Sequence, residues 1–159
     1  MNEQSLLPPY PGENASPSDL LLLANQYKLA AEALLGSRQL GTTALRSPAT
    51  LCAIHATELY LQALIRSDGA SPKEARGLGH ALAKMSEHPS VATLKLRQKT
   101  MNHLAEMTAR REYIIVRYGP DQKAQISELT RLRATLEEVA RKVQSAVVSG
   151  QRSKQEKAG

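Results

Sequence analysis

The sequence predicts an all-α protein: an up-down bundle of four to five helices that ends in a long C-terminal helix. The chain has 159 residues, which suits one domain with a single core. Only 3% of the residues are aromatic, so Leu, Ala, Ile, Val and Met must fill that core. Apolar residues recur at intervals of three and four along most of the chain, as in helices. We expect an irregular N-terminal arm over 1–15, the bundle over 16–149 and a disordered basic tail over 150–159.

The first helix is predicted to begin at Ser16, after an arm that contains three prolines. Ser16 and Asp19 have the spacing of a capping box, and Pro17 suits the first helical turn. Gly36 is expected to end the helix, and a polar loop then leads to Arg46. The apolar residues between follow helical spacing: Leu20, Leu23, Tyr27, Ala30, Ala31 and Leu34.

The second helix, about Pro48–Asp68, is predicted to lie at the centre of the bundle. Ser47 and Pro48 repeat the opening signal of the first helix. Its apolar residues form two stripes rather than one: Leu51, Ile54, Leu61 and Ile65 on one side, and Cys52, Ala56, Leu59 and Ala63 on another. A helix that is apolar nearly all round belongs in the middle of a bundle. Its few polar residues, His55, Glu58 and Gln62, are therefore of interest.

The middle of the chain is predicted to form shorter pieces. Residues 67–77 are rich in Gly, Ser and Pro and are expected to be a loop. A short helix over 78–86 ends before Pro89, and another begins near Ser90. Residues 113–116 have a strand-like composition, but no second strand could pair with them, so we expect a helix end or a buried connector.

The last helix is predicted over about Asp121–Val148, after the break at Gly119 and Pro120. Its apolar residues recur at intervals of three and four: Ile126, Leu129, Leu132, Leu136, Val139, Val143 and Val147. Charged residues occupy the opposite face, which is expected to face solvent.

The net charge of +6 favours anionic partners such as nucleic acid, nucleotides or acidic protein faces. Alternatively, part of this excess lies in the tail and only aids solubility. The single cysteine, Cys52, cannot form an internal disulfide and suits a reducing compartment. No apolar run approaches the ~20 residues of a membrane span, and no basic region precedes an apolar stretch at the N-terminus. We therefore expect a cytoplasmic protein without membrane contact.

Three segments together resemble the HEPN superfamily (higher eukaryotes and prokaryotes nucleotide-binding). Residues 53–65, AIHATELYLQALI, are similar to the central helix of that family. Residues 79–82, Gly-His-Ala-Leu, and 117–120, Arg-Tyr-Gly-Pro, are similar to its later motifs. The resemblance covers about residues 18–148. It implies a small helical bundle that forms a homodimer and binds a nucleotide, an RNA or a partner protein, for example of the nucleotidyltransferase type.

The candidate binding residues lie on the central helix and within or beside the two later motifs: His55, Glu58, His80, Arg111, Arg117 and Tyr118. His55 and Glu58 are one helical turn apart and can interact. They form either a hydrogen-bonded pair inside the bundle or the lining of a cleft in which Glu58 holds an arginine such as Arg117. His80 either caps or packs the short helix or takes part in binding.

The sequence alone allows two roles for Arg117. Its planar guanidinium suits a phosphate group, or it closes an ion pair with Glu58 or Glu112. No cofactor motif and no set of metal ligands is present, so neither a cofactor nor a metal is expected.

Many members of the superfamily are metal-independent RNases that use an Arg followed after four to six residues by a His. In this chain Arg97 and His103 are six residues apart, about 240° around an ideal helix and hence on different faces. The segment from Arg111 to Arg117 has an Arg where the His would stand, and a guanidinium cannot act as a base.

Three functions therefore remain open. The first is a non-catalytic HEPN-like module that binds its ligand as a dimer. The second is a toxin-like RNase that uses Arg97 and His103. The third is a helical protein-interaction scaffold whose last helix pairs with a partner.

Overall fold

The structure, a computed structural model, describes residues 8–37 and 45–159, apart from the side chain of Lys123. Within these ranges the chain forms eight α-helices, one 3₁₀ helix and no strand, which confirms the predicted all-α fold with a long C-terminal helix. The elements are α1 (Pro17–Leu35), α2 (Arg46–Ser67), α3 (Pro72–Gly77), α4 (Leu82–Ser86), α5 (Pro89–Ala92), α6 (Gln98–Ala109), α7 (Glu112–Tyr118), the 3₁₀ helix (Pro120–Gln125) and α8 (Leu129–Ala158). Part of the predicted arm (1–7) and of the first loop (38–44) lies outside the described residues.

The N-terminus of α1 forms the predicted capping box. The backbone N–H of Asp19 donates to Oγ of Ser16 at 3.0 Å, and the backbone N–H of Ser16 donates to Oδ2 of Asp19 at 2.8 Å. These bonds satisfy two donors that the first turn would otherwise leave unpaired. Gly36 caps the other end, as expected.

Helix α2 is the centre of the fold, as its two apolar stripes predicted. It contacts α1, α3, α4, α5, α7 and α8. Its start differs slightly from the prediction: Leu45 is the N-cap and Ser47 lies inside the helix without capping it. Leu51 and Cys52, near its N-terminus, are only half-buried because they line a cavity.

The middle of the chain is more broken than predicted. The expected loop over 67–77 contains α3, which begins with a capping box between Ser71 and Glu74. The helix expected from Ser90 is divided into α5 and α6. The break is stabilised from outside, because the buried Glu138 of α8 accepts from the backbone N–H of Arg97 at 3.0 Å and from Oγ1 of Thr100. Residues 113–116 are helical and belong to α7.

Helix α8 begins later and ends later than predicted. The 3₁₀ helix and a short connector precede it, so it starts at Leu129 rather than near residue 121. Within α8 the predicted apolar stripe is buried from Leu132 to Val147, while Leu129 is half-buried and Ile126 is buried in the connector before the helix. The tail expected to be disordered from residue 150 is helical to Ala158. Two contacts hold it: Gln151 Nε2 to Ser18 Oγ at 2.6 Å and Lys154 Nζ to the carbonyl oxygen of Ser67 at 2.8 Å. No helix in the described ranges has the length and apolar character to cross a membrane.

Candidate functional site

A cavity of about 340 Å³, here called the main cavity, lies where α1, α2 and α7 meet the loop before α4. Four of the six predicted binding residues line it: His55, Glu58, His80 and Arg117. The rest of the lining is apolar or aromatic: Tyr27, Leu51, Cys52, Ile54 and Tyr113. The fold therefore brings together side chains that are far apart in sequence.

Glu58 and His80 form the polar base of the main cavity. Nδ1 of His80 lies 3.0 Å from Oε1 and 3.1 Å from Oε2 of Glu58, whose side chain is only 8% exposed. An ionised carboxylate only accepts hydrogen bonds, so Nδ1 carries the proton of this bond. Gln62 Nε2 also donates to Oε1 of Glu58, at 3.3 Å. Gly79, with φ of +57°, makes the turn that carries His80 back over α2.

His55 lies beside this pair on α2. Its ring packs edge-on against Tyr27 of α1, with ring centroids 4.5 Å apart, and its Nδ1 is 4.0 Å from Oε2 of Glu58. Burial lowers the pKa of His55; the charge of Glu58 opposes this shift and His80 reinforces it. At pH 7 the ring is therefore neutral. His55 and Glu58 do not form the predicted hydrogen bond, because 4.0 Å is too long for one. They do line a cleft, but Glu58 holds His80 there and not Arg117.

Helix α7 supplies the opposite wall. The ring of Tyr113 packs against that of His80, with centroids 4.7 Å apart. Arg117 forms neither of the predicted ion pairs, since Glu58 bonds with His80 and Glu112 with Arg110. Its Nη2 instead donates to the hydroxyl of Tyr118 at 3.0 Å. Within the described ranges Arg117 contacts no carboxylate, so its charge is available to a ligand.

Tyr118 and Arg111 lie outside the main cavity. They line a separate hollow of about 240 Å³ on the other side of α7. The Tyr118 side chain is 70% exposed. Arg111 is the N-cap of α7 and has a left-handed backbone, with φ of 53° and ψ of 42°. The structure thus divides the predicted binding set into four cavity residues and two on the far side of α7.

Arg97 and His103 are not arranged to act on one phosphate. Arg97 is exposed and its Nε pairs with Glu138 at 3.1 Å. His103 is completely buried, with Nδ1 2.7 Å from Oγ1 of Thr135 and Nε2 2.7 Å from Oγ of Ser127. Burial lowers the pKa of His103 to about 4, and the positive charges of Arg131 and Arg110 add to the shift. The ring is thus a neutral core residue.

Several lining residues were not predicted from the sequence. Leu51 shares a face of α2 with His55 and Glu58, at spacings of four and three, and this pattern could have revealed a cavity-facing side. No comparable signal exists for Tyr27 and Tyr113, because they reach the cavity from two other helices.

In the part of the chain that the structure describes, no group of three or more His, Cys, Asp or Glu side chains could hold a metal ion. Comparisons with protein-family models, with curated proteins and with solved structures found no match.

Proposed function

We propose that this chain is a non-catalytic, HEPN-like helical module that acts as a dimer and binds a phosphate-bearing ligand of the nucleotide class in the main cavity. The ligand is either a free nucleotide or the phosphorylated end of an RNA. One observation carries the proposal: the cavity combines the aromatic walls of Tyr27 and Tyr113 with Arg117, whose guanidinium bonds with Tyr118 and has no carboxylate partner in the described ranges.

The lining suits each part of such a ligand. A volume of about 340 Å³ is within the usual range of small-molecule sites. The rings of Tyr27, Tyr113 and His80 offer faces and edges to a planar base. Arg117 offers a planar fork to a phosphate. Glu58 holds His80 in place.

The proposal includes no cleavage step. The Arg97 and His103 pair is the one with the spacing of the family's RNases, and its imidazole is in the core, hydrogen-bonded on both nitrogens. A phosphate at the surface cannot reach it. The cavity residues therefore serve binding.

The exposed face of α1 supports the dimer. Leu22 and Leu29 are 61% and 66% exposed and lie two turns apart, hence on one side of the helix. Such apolar exposure on one face is typical of an interaction surface. A second copy of the chain is the proposed occupant. Sedimentation of the wild type and of Leu29→Glu tests this. We expect the wild type to be a dimer and Leu29→Glu to be a monomer. A wild type that is still monomeric at a protein concentration of about 100 μM, at which even a weak dimer would form, contradicts the proposal.

Calorimetry with AMP, GMP, CMP, UMP and an oligoribonucleotide with or without a 5′-phosphate tests the ligand. Arg117→Gln should weaken binding about tenfold, the loss of one charge-assisted hydrogen bond. Arg141 is an exposed arginine on α8, and Arg141→Gln should not weaken binding. Phosphate-dependent binding only of the oligoribonucleotide identifies an RNA end, and binding of a mononucleotide identifies a free nucleotide.

Two results would overturn the proposal. If no nucleotide or oligoribonucleotide binds, the protein-interaction scaffold becomes the better description. If total RNA is cleaved in EDTA and a His103→Ala variant that keeps the helical circular dichroism of the wild type has lost the cleavage, the RNase alternative is correct.

A further inference from the structure

A second cavity of about 310 Å³ adjoins the main cavity. Ile54, His80 and Tyr113 line both. The rings of His80 and Tyr113, which pack together at an interplanar angle of 36°, therefore form a partition with a cavity on either side. The rest of the second cavity is lined by the end of α3, the loop before α4, α4 and α6: Gly77, Leu78, Gly79, Ala81, Leu82, Lys84, Met107 and Thr108.

Lys84 is the group in the second cavity that is free to bind a charge. It is exposed on α4 and forms no ion pair with any residue in the described ranges. The hydroxyl of Thr108 is already used, because it accepts from the backbone N–H of Ala83 at 3.0 Å and donates to the carbonyl oxygen of Leu104 at 3.0 Å. Leu78, Leu82 and Met107 provide apolar walls. The lining is thus apolar with one cation.

The partition itself is held in position. His80 is hydrogen-bonded to the buried Glu58 and packs against Tyr113, while 51% of its side chain remains exposed. Because Glu58 and Tyr113 already fix the ring, it loses little conformational entropy when a ligand covers it. A ligand that passes over this ring would reach both cavities.

We propose that the ligand has two separated anionic groups, one held by Arg117 in the main cavity and one by Lys84 in the second, with a planar part lying against His80 and Tyr113. The ligand class is a dinucleotide, or the last two nucleotides of a strand, rather than a mononucleotide. This inference rests on the proposed function, because it extends the ligand of the same site.

Calorimetry with AMP, the 5′-phosphorylated dinucleotide pApA and ATP distinguishes the effect of the distance between phosphates from the effect of total charge. ATP has more charge than pApA, but all of it lies at one end. We expect pApA to bind about tenfold more tightly than AMP, the gain of one further phosphate contact. Lys84→Gln should remove that gain and leave the Kd of AMP within about twofold of the wild type. Lys99 is an exposed lysine on α6 that lines neither cavity, so Lys99→Gln should change neither the Kd of AMP nor that of pApA.

The outcomes distinguish this inference from the proposed function. AMP binding that depends on Arg117, with pApA binding no tighter, overturns the two-ended ligand and leaves the proposed function intact. A gain for ATP equal to that for pApA and unaffected by Lys84→Gln assigns the effect to charge alone and also overturns it. If none of the three ligands binds, the two-ended ligand is wrong, and the proposed function is wrong as well if GMP, CMP, UMP and the phosphorylated oligoribonucleotide also fail to bind.

Discussion

The imidazole of His80 donates through Nδ1 to the buried carboxylate of Glu58, at 3.0 and 3.1 Å from its two oxygens. The bond joins the central helix to a loop residue 22 positions further along the chain. It stabilises the loop before α4 and also sets the shape of both cavities. Its strength can be measured without knowledge of the ligand.

A double-mutant cycle with Glu58→Gln and His80→Ala should give a coupling energy of about 1 kcal/mol, since one partner is ionised and buried. Urea unfolding at pH 7 measures it. The cycle of Glu58→Gln with His55→Ala is the matched control, because Nδ1 of His55 is 4.0 Å from the carboxylate. A coupling for His80 no larger than that for His55 would contradict the geometry.

The free energy of unfolding should fall as the pH decreases from 6.5 to 4. The pKa of His103 is about 4 in the folded protein and near its ordinary value of 6.5 in the unfolded chain. Between these values the unfolded chain binds more protons, so acid favours it. We expect a loss of about 2 to 3 kcal/mol over this range. Urea titrations of the wild type and of His103→Gln at four pH values measure the effect; an equally steep pH dependence in the variant would exclude His103 as its source.

Glu138→Gln should destabilise the fold by about 2 kcal/mol, because a buried carboxylate that accepts several hydrogen bonds is replaced. Burial alone would raise the pKa of Glu138, but hydrogen bonds from Lys142, Thr100 and Arg97 outweigh it and lower the pKa to about 2. Thermal and urea unfolding at pH 7 measure the loss. Glu137→Gln, which changes the exposed neighbour on α8, should stay within about 0.5 kcal/mol of the wild type.

The stabilisation by the Glu138 carboxylate should depend on pH in the acid range. Because the pKa of Glu138 is lowered in the folded state, its contribution is present above pH 4.5 and is lost as the pH falls towards 2. The difference in stability between the wild type and Glu138→Gln should therefore shrink over that range. A constant difference would show that the hydrogen bonds do not depend on the charge.

Arg111→Gly should be more stable than Arg111→Ala by about 1 kcal/mol, because only glycine adopts a left-handed backbone without strain. Arg111 has a left-handed backbone, with φ of 53°, so this comparison tests the backbone conformation. At Arg141, inside α8, the order should reverse by a similar amount, since glycine weakens a helix interior. Chemical unfolding of the four variants measures both differences, and the same order at both sites would contradict the assigned backbone.

The start of α1 was predictable because its signal is local: Ser16 and Asp19 are three residues apart and cap each other. The same spacing between Ser71 and Glu74 marks α3, although the Gly, Ser and Pro content around it suggested a loop. The division between α5 and α6 had no local signal. It depends on Glu138, which is 41 residues from Arg97.

By itself the sequence determined the fold class, the central position of α2 and the buried stripe of α8, because helical periodicity and capping act over a few residues. Only the tertiary structure decided which polar side chains meet. It placed Arg117 beside Glu58 and His80 in one cavity, placed Arg111 and Tyr118 beyond it, and buried His103 in the core. These outcomes depend on how helices pack across long separations in the chain, and the spacing of residues along one helix carries no information about that.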